Sequence, residues 1–162
     1  MSDGQDLVAS IYSGWQAYQE AIIAVLDPLD ANELALRAAP DLRSVGEITA
    51  HIIMARAVWF YHLMGEGGDA FKAFSRWGRQ GAKAQSAEEL VSGLEATWTG
   101  MHDAIARWTA EDWQKTWPGE DDDEPEVITR HWVIWHLIEH DLHHGGEISI
   151  VLGAHGIAGL QL

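Results

Sequence analysis

The chain reads as an all-α protein, a four-helix bundle made by a single domain over residues 1–162. Three observations predict it. Apolar residues recur at three- and four-residue spacing through long stretches of the sequence, the period of helices that bury one face. Two of those stretches are preceded by Ser-x-x-Glu, at Ser44 to Glu47 and Ser86 to Glu89, the pattern in which side chains and backbone amides cap each other at a helix start. A 17.9 kDa chain without cysteine is also long enough to bury a core with no disulfide or structural metal.

In order, the first helix runs from Asp6 to Leu26 on Leu7, Val8, Ile11, Tyr12, Trp15, Tyr18, Ile22, Ile23 and Leu26, and Asp27-Pro28 ends it. The second opens at Ser44 and carries Ile48, His51, Ile52, Ala55, Trp59, His62 and Leu63 on one face as far as Gly65 to Gly68. Residues 65–86 form a connection long enough to travel the length of a bundle, with a helical turn around Phe71, Phe74 and Trp77. Lys72, Arg76, Arg79 and Lys83 lie in it, either as solvated charge or as a dock for an anion. The third helix follows Ser86 on Leu90, Leu94, Trp98, Met101, Ile105 and Trp108; a short turn over Thr109 to Trp113 comes next, broken at Trp117-Pro118-Gly119. The carboxylates between Gly119 and Glu126, with Pro125 in the first turn, suit the positive end of a fourth helix from about Glu126 to Gly153.

That fourth helix is apolar on two sides. Ile128, Trp135, Ile138 and Leu142 form a second face, which predicts a homodimer, with packing under the long connection as the other account. Net charge of −15, with only ten scattered basic residues, argues against a nucleic-acid backbone as partner. No stretch reaches the roughly 20 apolar residues of a membrane span, and the acidic N-terminus lacks the parts of a signal peptide, so a cytoplasmic location is expected.

The chemistry concentrates in the fourth helix. His136, His140 and His144 recur one turn apart, about 5–6 Å at Cβ, and Val133, Leu137, Ile148 and Val151 share the side of His140 and His144. Imidazoles aimed into an apolar core need partners, and a metal ion is one that can take two. His51, among the apolar residues of the second helix, is the candidate third ligand; the other account of it is a core histidine bonded to an oxygen. Glu47 either caps the second helix or orients His51. Without cysteine, only nitrogen and oxygen ligands remain, which leaves zinc, nickel, iron or manganese.

The segments SVGEITAHIIMA and EHDLHHGGEIS together resemble the DinB/YfiT-like superfamily of metalloenzymes, and the likeness extends over the whole chain. It implies an up-down-down-up four-helix bundle and a metal triad at His51, His140 and His144; His143, part of the motif's double histidine, points away from the pair on the helix and is left out as a ligand. Many relatives have a basic residue where Gly145 stands and glutamine where Glu147 stands. Glu147 is therefore open to four roles: fourth ligand, acceptor for a ligand histidine, general base, or solvent-facing residue near the helix end. The resemblance further implies thiol-dependent transfer or isomerisation of a small-molecule substrate, with a low-molecular-weight thiol as co-reactant. A metal-dependent hydrolase using Glu147 or His136 as base, and a non-catalytic metal- or ligand-binding dimer, are the other two readings.

Overall fold

The computed structural model describes residues 2–78, 83–119 and 125–162, with side chains from residue 10 onward. It is mostly helical. Helix α1 (Ser2–Leu26) stops at Asp27, and a short α2 (Ala31–Leu34) is capped by Asp30. Helix α3 (Val45–Ala57) opens on the expected capping box: the Ser44 hydroxyl accepts from the Glu47 amide, and the Glu47 carboxylate accepts from the Ser44 amide. Helices α4 (Gly68–Phe74), α5 (Ala87–Arg107), α6 (Ala110–Trp113) and α7 (Arg130–Ala154) follow, α5 behind its own capping box at Ser86 and Glu89.

Helix α3 packs against α5 and α7, and α1 packs against the same two helices. Residue numbers rise together along α3 and α5, where Gly46 faces Leu90, Ile53 faces Gly93 and Arg56 reaches Leu94 and Thr97. They run oppositely along α3 and α7, where His51 meets His144, Arg56 meets Asp141 and Trp59 meets Trp132. The core between these helices is built on Ile22, Leu26, Ile52, Leu94 and Ile148 in one cluster and on Phe60, Phe71, Met101, Val133 and Leu137 in another. Each such side chain contributes about 1.5–3 kcal/mol relative to exposure. Gly145 lets the Tyr18 ring lie directly on α7, where a Cβ would clash with it, and the Tyr18 hydroxyl donates to the Leu142 carbonyl at 3.1 Å. Among the described residues no helix is long and apolar enough to cross a membrane.

Several expectations need correction. The chain is not purely α-helical: Thr116–Pro118 (β1) and Val127–Thr129 (β2) pair antiparallel, Trp117 opposite Ile128. The β-branched run Val127-Ile128-Thr129 takes the extended form that suits it, so α7 begins at Arg130 and not near Glu126, with the Thr129 hydroxyl accepting from the Trp132 amide. Pro125 precedes the strand instead of sitting in a helical first turn, and Ile128 is buried on β2 rather than displayed on a helix face. Ile138 is buried as well, so Trp135 and Leu142 are what remains exposed of the second apolar face. Helix α3 continues as a π-helix over Val58–Leu63. The wider turn rotates the buried face: Phe60 goes into the core, while His62 faces out and its Nε2 lies 3.1 Å from the Ser75 hydroxyl. Arg79, the carboxylates of 120–124 and the side chains of Leu7 and Val8 lie outside the described residues. Lys72, Arg76 and Lys83 are exposed.

Candidate metal centre

Capping at Ser44 fixes the start of α3, which places His51 in its second turn; capping at Thr129 fixes α7, which carries His140 and His144 one turn apart. What holds the two helices in register is a pair of buried charges. The Arg56 guanidinium donates to the Asp141 carboxylate at 2.6 Å with both side chains fully buried, and donates also to the Gln19 side-chain oxygen at 2.7 Å. The Trp15 indole donates to the same Asp141 oxygen at 2.7 Å, which ties in α1.

On that frame the three histidines meet across the seam. His51 Nε2 and His140 Nε2 stand 3.3 Å apart, and the ring centroids of the three imidazoles lie 4.3–4.9 Å from one another. One nitrogen from each ring can be chosen so that all three fall within 4.8 Å of one another. Burial holds His51 down at about pKa 4, with the positive charge of Arg43 and the neighbouring His144 adding to it. Burial likewise pushes His140 down, and the adjacent imidazoles push it further. His144 is lowered by burial and pulled partly back by its hydrogen bond to Glu147. All three are therefore neutral at pH 7, the form in which a histidine lends a lone pair.

The Glu147 carboxylate lies 2.6 Å from His144 Nδ1 through its Oε2, and its Oε1 is 3.5 Å from His143 Nε2. Glu147 thus bonds to His144 while its side chain stays 42 % exposed. Occupying Nδ1 in this way leaves the His144 Nε2 lone pair free. The Nδ1 atoms of His51 and His140 are buried with no hydrogen-bond partner among the described residues, a cost of about 1–3 kcal/mol for each such group.

These residues fit a divalent metal. Two neutral imidazole nitrogens facing each other would have to sacrifice one as donor, whereas a cation accepts from both. A tetrahedral zinc with bonds of about 2.0–2.1 Å has an edge of about 3.3 Å, the separation found between His51 and His140. The donor set is nitrogen with one carboxylate behind it.

His136, although on the same side of α7, stands apart from this cluster. Its ring stacks on Trp132 at 4.9 Å, its Nδ1 lies 3.1 Å from Glu139, and its centroid is 6.0 Å from that of His140. His143 is 68 % exposed and, with His144 and Glu147, offers a second set of possible ligand atoms within 4.8 Å of one another. Glu47 caps α3 and pairs with Arg37 at 2.7 Å, with no hydrogen bond to His51. Sequence reasoning did not pick out Arg56, Asp141, Gln19 or Arg43, and it read Trp15 only as part of an apolar helix face. The available signals were a lone arginine inside the apolar run IIMARAVWF and an aspartate set directly between the histidines.

A profile described as the DinB superfamily matches residues 15–148. Among curated proteins there is no match. A solved DinB-like protein from Bacillus cereus superposes with a TM-score of 0.71 at 19% identity, over 96% of this chain and 97% of that one. A DinB-like protein from Bacillus subtilis gives a TM-score of 0.65 at 14% identity, covering 94% and 96% of the two chains.

Proposed function

The chain belongs to the DinB superfamily, and from that premise we propose that it is a divalent-metal-dependent enzyme acting in the cytoplasm on a small molecule, a thiol-dependent S-transferase or isomerase. The observation that carries the reading is the meeting of His51 from α3 with His140 and His144 from α7, all three held neutral by burial. In this reading His51, His140 and His144 hold the ion, zinc or nickel by preference, and Glu147 fixes the His144 tautomer through Nδ1. The ion, when bound, supplies a Lewis acid that brings the ionisation of a thiol or water toward neutral pH.

The chain's own part is positioning and proton handling. Three protein ligands leave a position for a substrate or co-reactant, the arrangement of catalytic rather than structural sites. Glu147 Oε2 would hold the proton on His144 Nδ1, and its Oε1, beside exposed His143, would link that ring to solvent. The absence of cysteine agrees with a thiol supplied from outside. The same reading takes the long helices as an up-down-down-up bundle, supported by the parallel run of α3 beside α5 and the antiparallel run of α3 beside α7. It also takes the molecule as a homodimer. Trp135 and Leu142, two turns apart on α7, and Ile11, on the stripe of α1 that bears Trp15 and Tyr18, are each nearly half exposed or more.

The test is turnover of an activated aryl chloride with and without an added low-molecular-weight thiol, on metal-loaded protein. Turnover that requires the thiol and is lost in His144→Ala is the expected result. Turnover of an aryl ester in plain buffer, indifferent to thiol, would make the protein a hydrolase. No turnover of either by metal-loaded protein would leave a binding dimer.

A further inference from the structure

A cavity of about 580 Å³ opens beside the first turns of α3, the size of a small-molecule site. Leu34, Leu42 and Ala50 give it apolar walls, and Arg37, Arg43 and Lys83 bring three of the chain's ten basic residues to its lining, beside the carboxylates of Asp41 and Glu47. Two of these cations are already engaged. Arg37 pairs with Glu47 at 2.7 Å and donates to the Leu42 carbonyl, and Lys83 reaches Glu89 at 3.3 Å. Arg43 has neither an ion pair nor a hydrogen bond among the described residues. In a chain with a net charge of −15, an arginine left without a carboxylate at the mouth of a part-apolar cavity is a fixed positive charge awaiting an anion.

The cavity adjoins the helix that carries His51, although none of the three clustered histidines is among its lining residues. Gly46, Glu47 and Ala50 line it on the same turns of α3 that carry His51, and Gly78, at φ +64°, packs on the His51 backbone so closely that a Cβ there would stand 3.1 Å from His51 Cα.

We propose that this cavity binds a small organic anion, a carboxylate or phosphate ester with an apolar body, its charge on Arg43 and its body against Leu34, Leu42 and Ala50. That the cavity binds such an anion stands apart from any metal; that the anion is the substrate, anchored so that its reactive end reaches the histidines, rests on the function proposed above.

The experiment uses full-length metal-free protein titrated with phenylpropionate, phenyl phosphate and uncharged phenylpropionamide, followed by calorimetry and by amide NMR shifts. Saturable binding of at least one anion is expected, with shifts at Gly46, Ala50 and Gly78, weakened about tenfold or more for the amide and in Arg43→Gln. Arg43 is exposed, so that variant keeps its fold. No saturable binding of either anion, equal binding of the amide, or undiminished binding by Arg43→Gln would overturn the proposal. Metal uptake measured on the same samples separates the two readings: anion binding without metal uptake sinks the enzyme and keeps the cavity, and metal uptake without anion binding does the reverse.

Discussion

Two polar clusters share the same pair of helices, Arg56 lying beyond His51 on α3 and Asp141 between His140 and His144 on α7, and they are built on opposite rules. Around Arg56 and Asp141 unlike groups meet: guanidinium on carboxylate, indole on carboxylate, guanidinium on amide oxygen, all out of water. Around His51, His140 and His144 like meets like, three neutral imidazoles crowded together with two Nδ1 atoms unpartnered. Asp141 Oδ1 and Arg56 Nε also lack partners, but each belongs to a group whose charge is already answered. A fold gains from the first arrangement once it exists, because breaking it strands a charge. From the second the folded chain alone gains little, and such an arrangement makes sense when something binds there.

The sharpest way to break this contrast is Asp141→Ala. It leaves the Arg56 charge buried without its partner and should cost about 3–5 kcal/mol of stability, read from denaturant unfolding. Replacing both partners, Arg56→Met with Asp141→Leu, should recover most of that loss. A single-variant cost below about 1 kcal/mol would mean that the pair is not the lock between α3 and α7.

Glu147→Gln probes the other cluster through the residue behind it. Removing the carboxylate from His144 Nδ1 should weaken metal affinity by about 10–100-fold, measured by competition with a chromophoric chelator, with little change in the unfolding of metal-free protein because the side chain is half open to solvent. Unchanged affinity would return Glu147 to a surface role.

The histidines should also set a pH dependence. His51 sits at about 4 in the folded protein against an ordinary 6.5. Between those values the unfolded chain binds more protons than the folded one, so the stability of metal-free protein falls as pH falls from about 6.5 and the loss is complete below about 4. Burial lowers His140 and His144 in the same direction. Thermal unfolding of wild type across that range, beside His51→Ala, should show a smaller decline in the variant; identical profiles would place His51 in water.

The smallest effect belongs to Trp135, 58 % exposed and a member of neither cluster. Trp135→Ala should leave monomer unfolding within about 0.5 kcal/mol of wild type while shifting the mass measured by light scattering from dimer toward monomer. A wild-type protein that is monomeric at all concentrations would remove the dimer from the account.

The helices were legible because capping and periodicity are local. Ser44 and Glu47, Ser86 and Glu89, and the run from Trp15 to Leu26 each state their structure within a few residues. The histidine cluster was legible for a related reason, since spacing along α7 fixes two of its members. The rest depended on contacts across the fold. Ile128 looked helical until its pairing with Trp117 was known, and the π-helix that turns Phe60 inward has no sequence mark. Arg56 and Asp141 lie 85 residues apart, and neither announces that it will be buried against the other. Arg43 looks like any surface arginine until the cavity beside it is seen.

The most direct test of the metal centre is elemental mass spectrometry on untagged wild type, His51→Ala and His144→Ala, each purified alike and then incubated with zinc, nickel, iron and manganese. About one metal ion per wild-type chain, lost from both variants, is the predicted result, because each helix supplies a ligand the other cannot replace. A wild type that stays empty, or a His51→Ala variant that retains its metal, would contradict it.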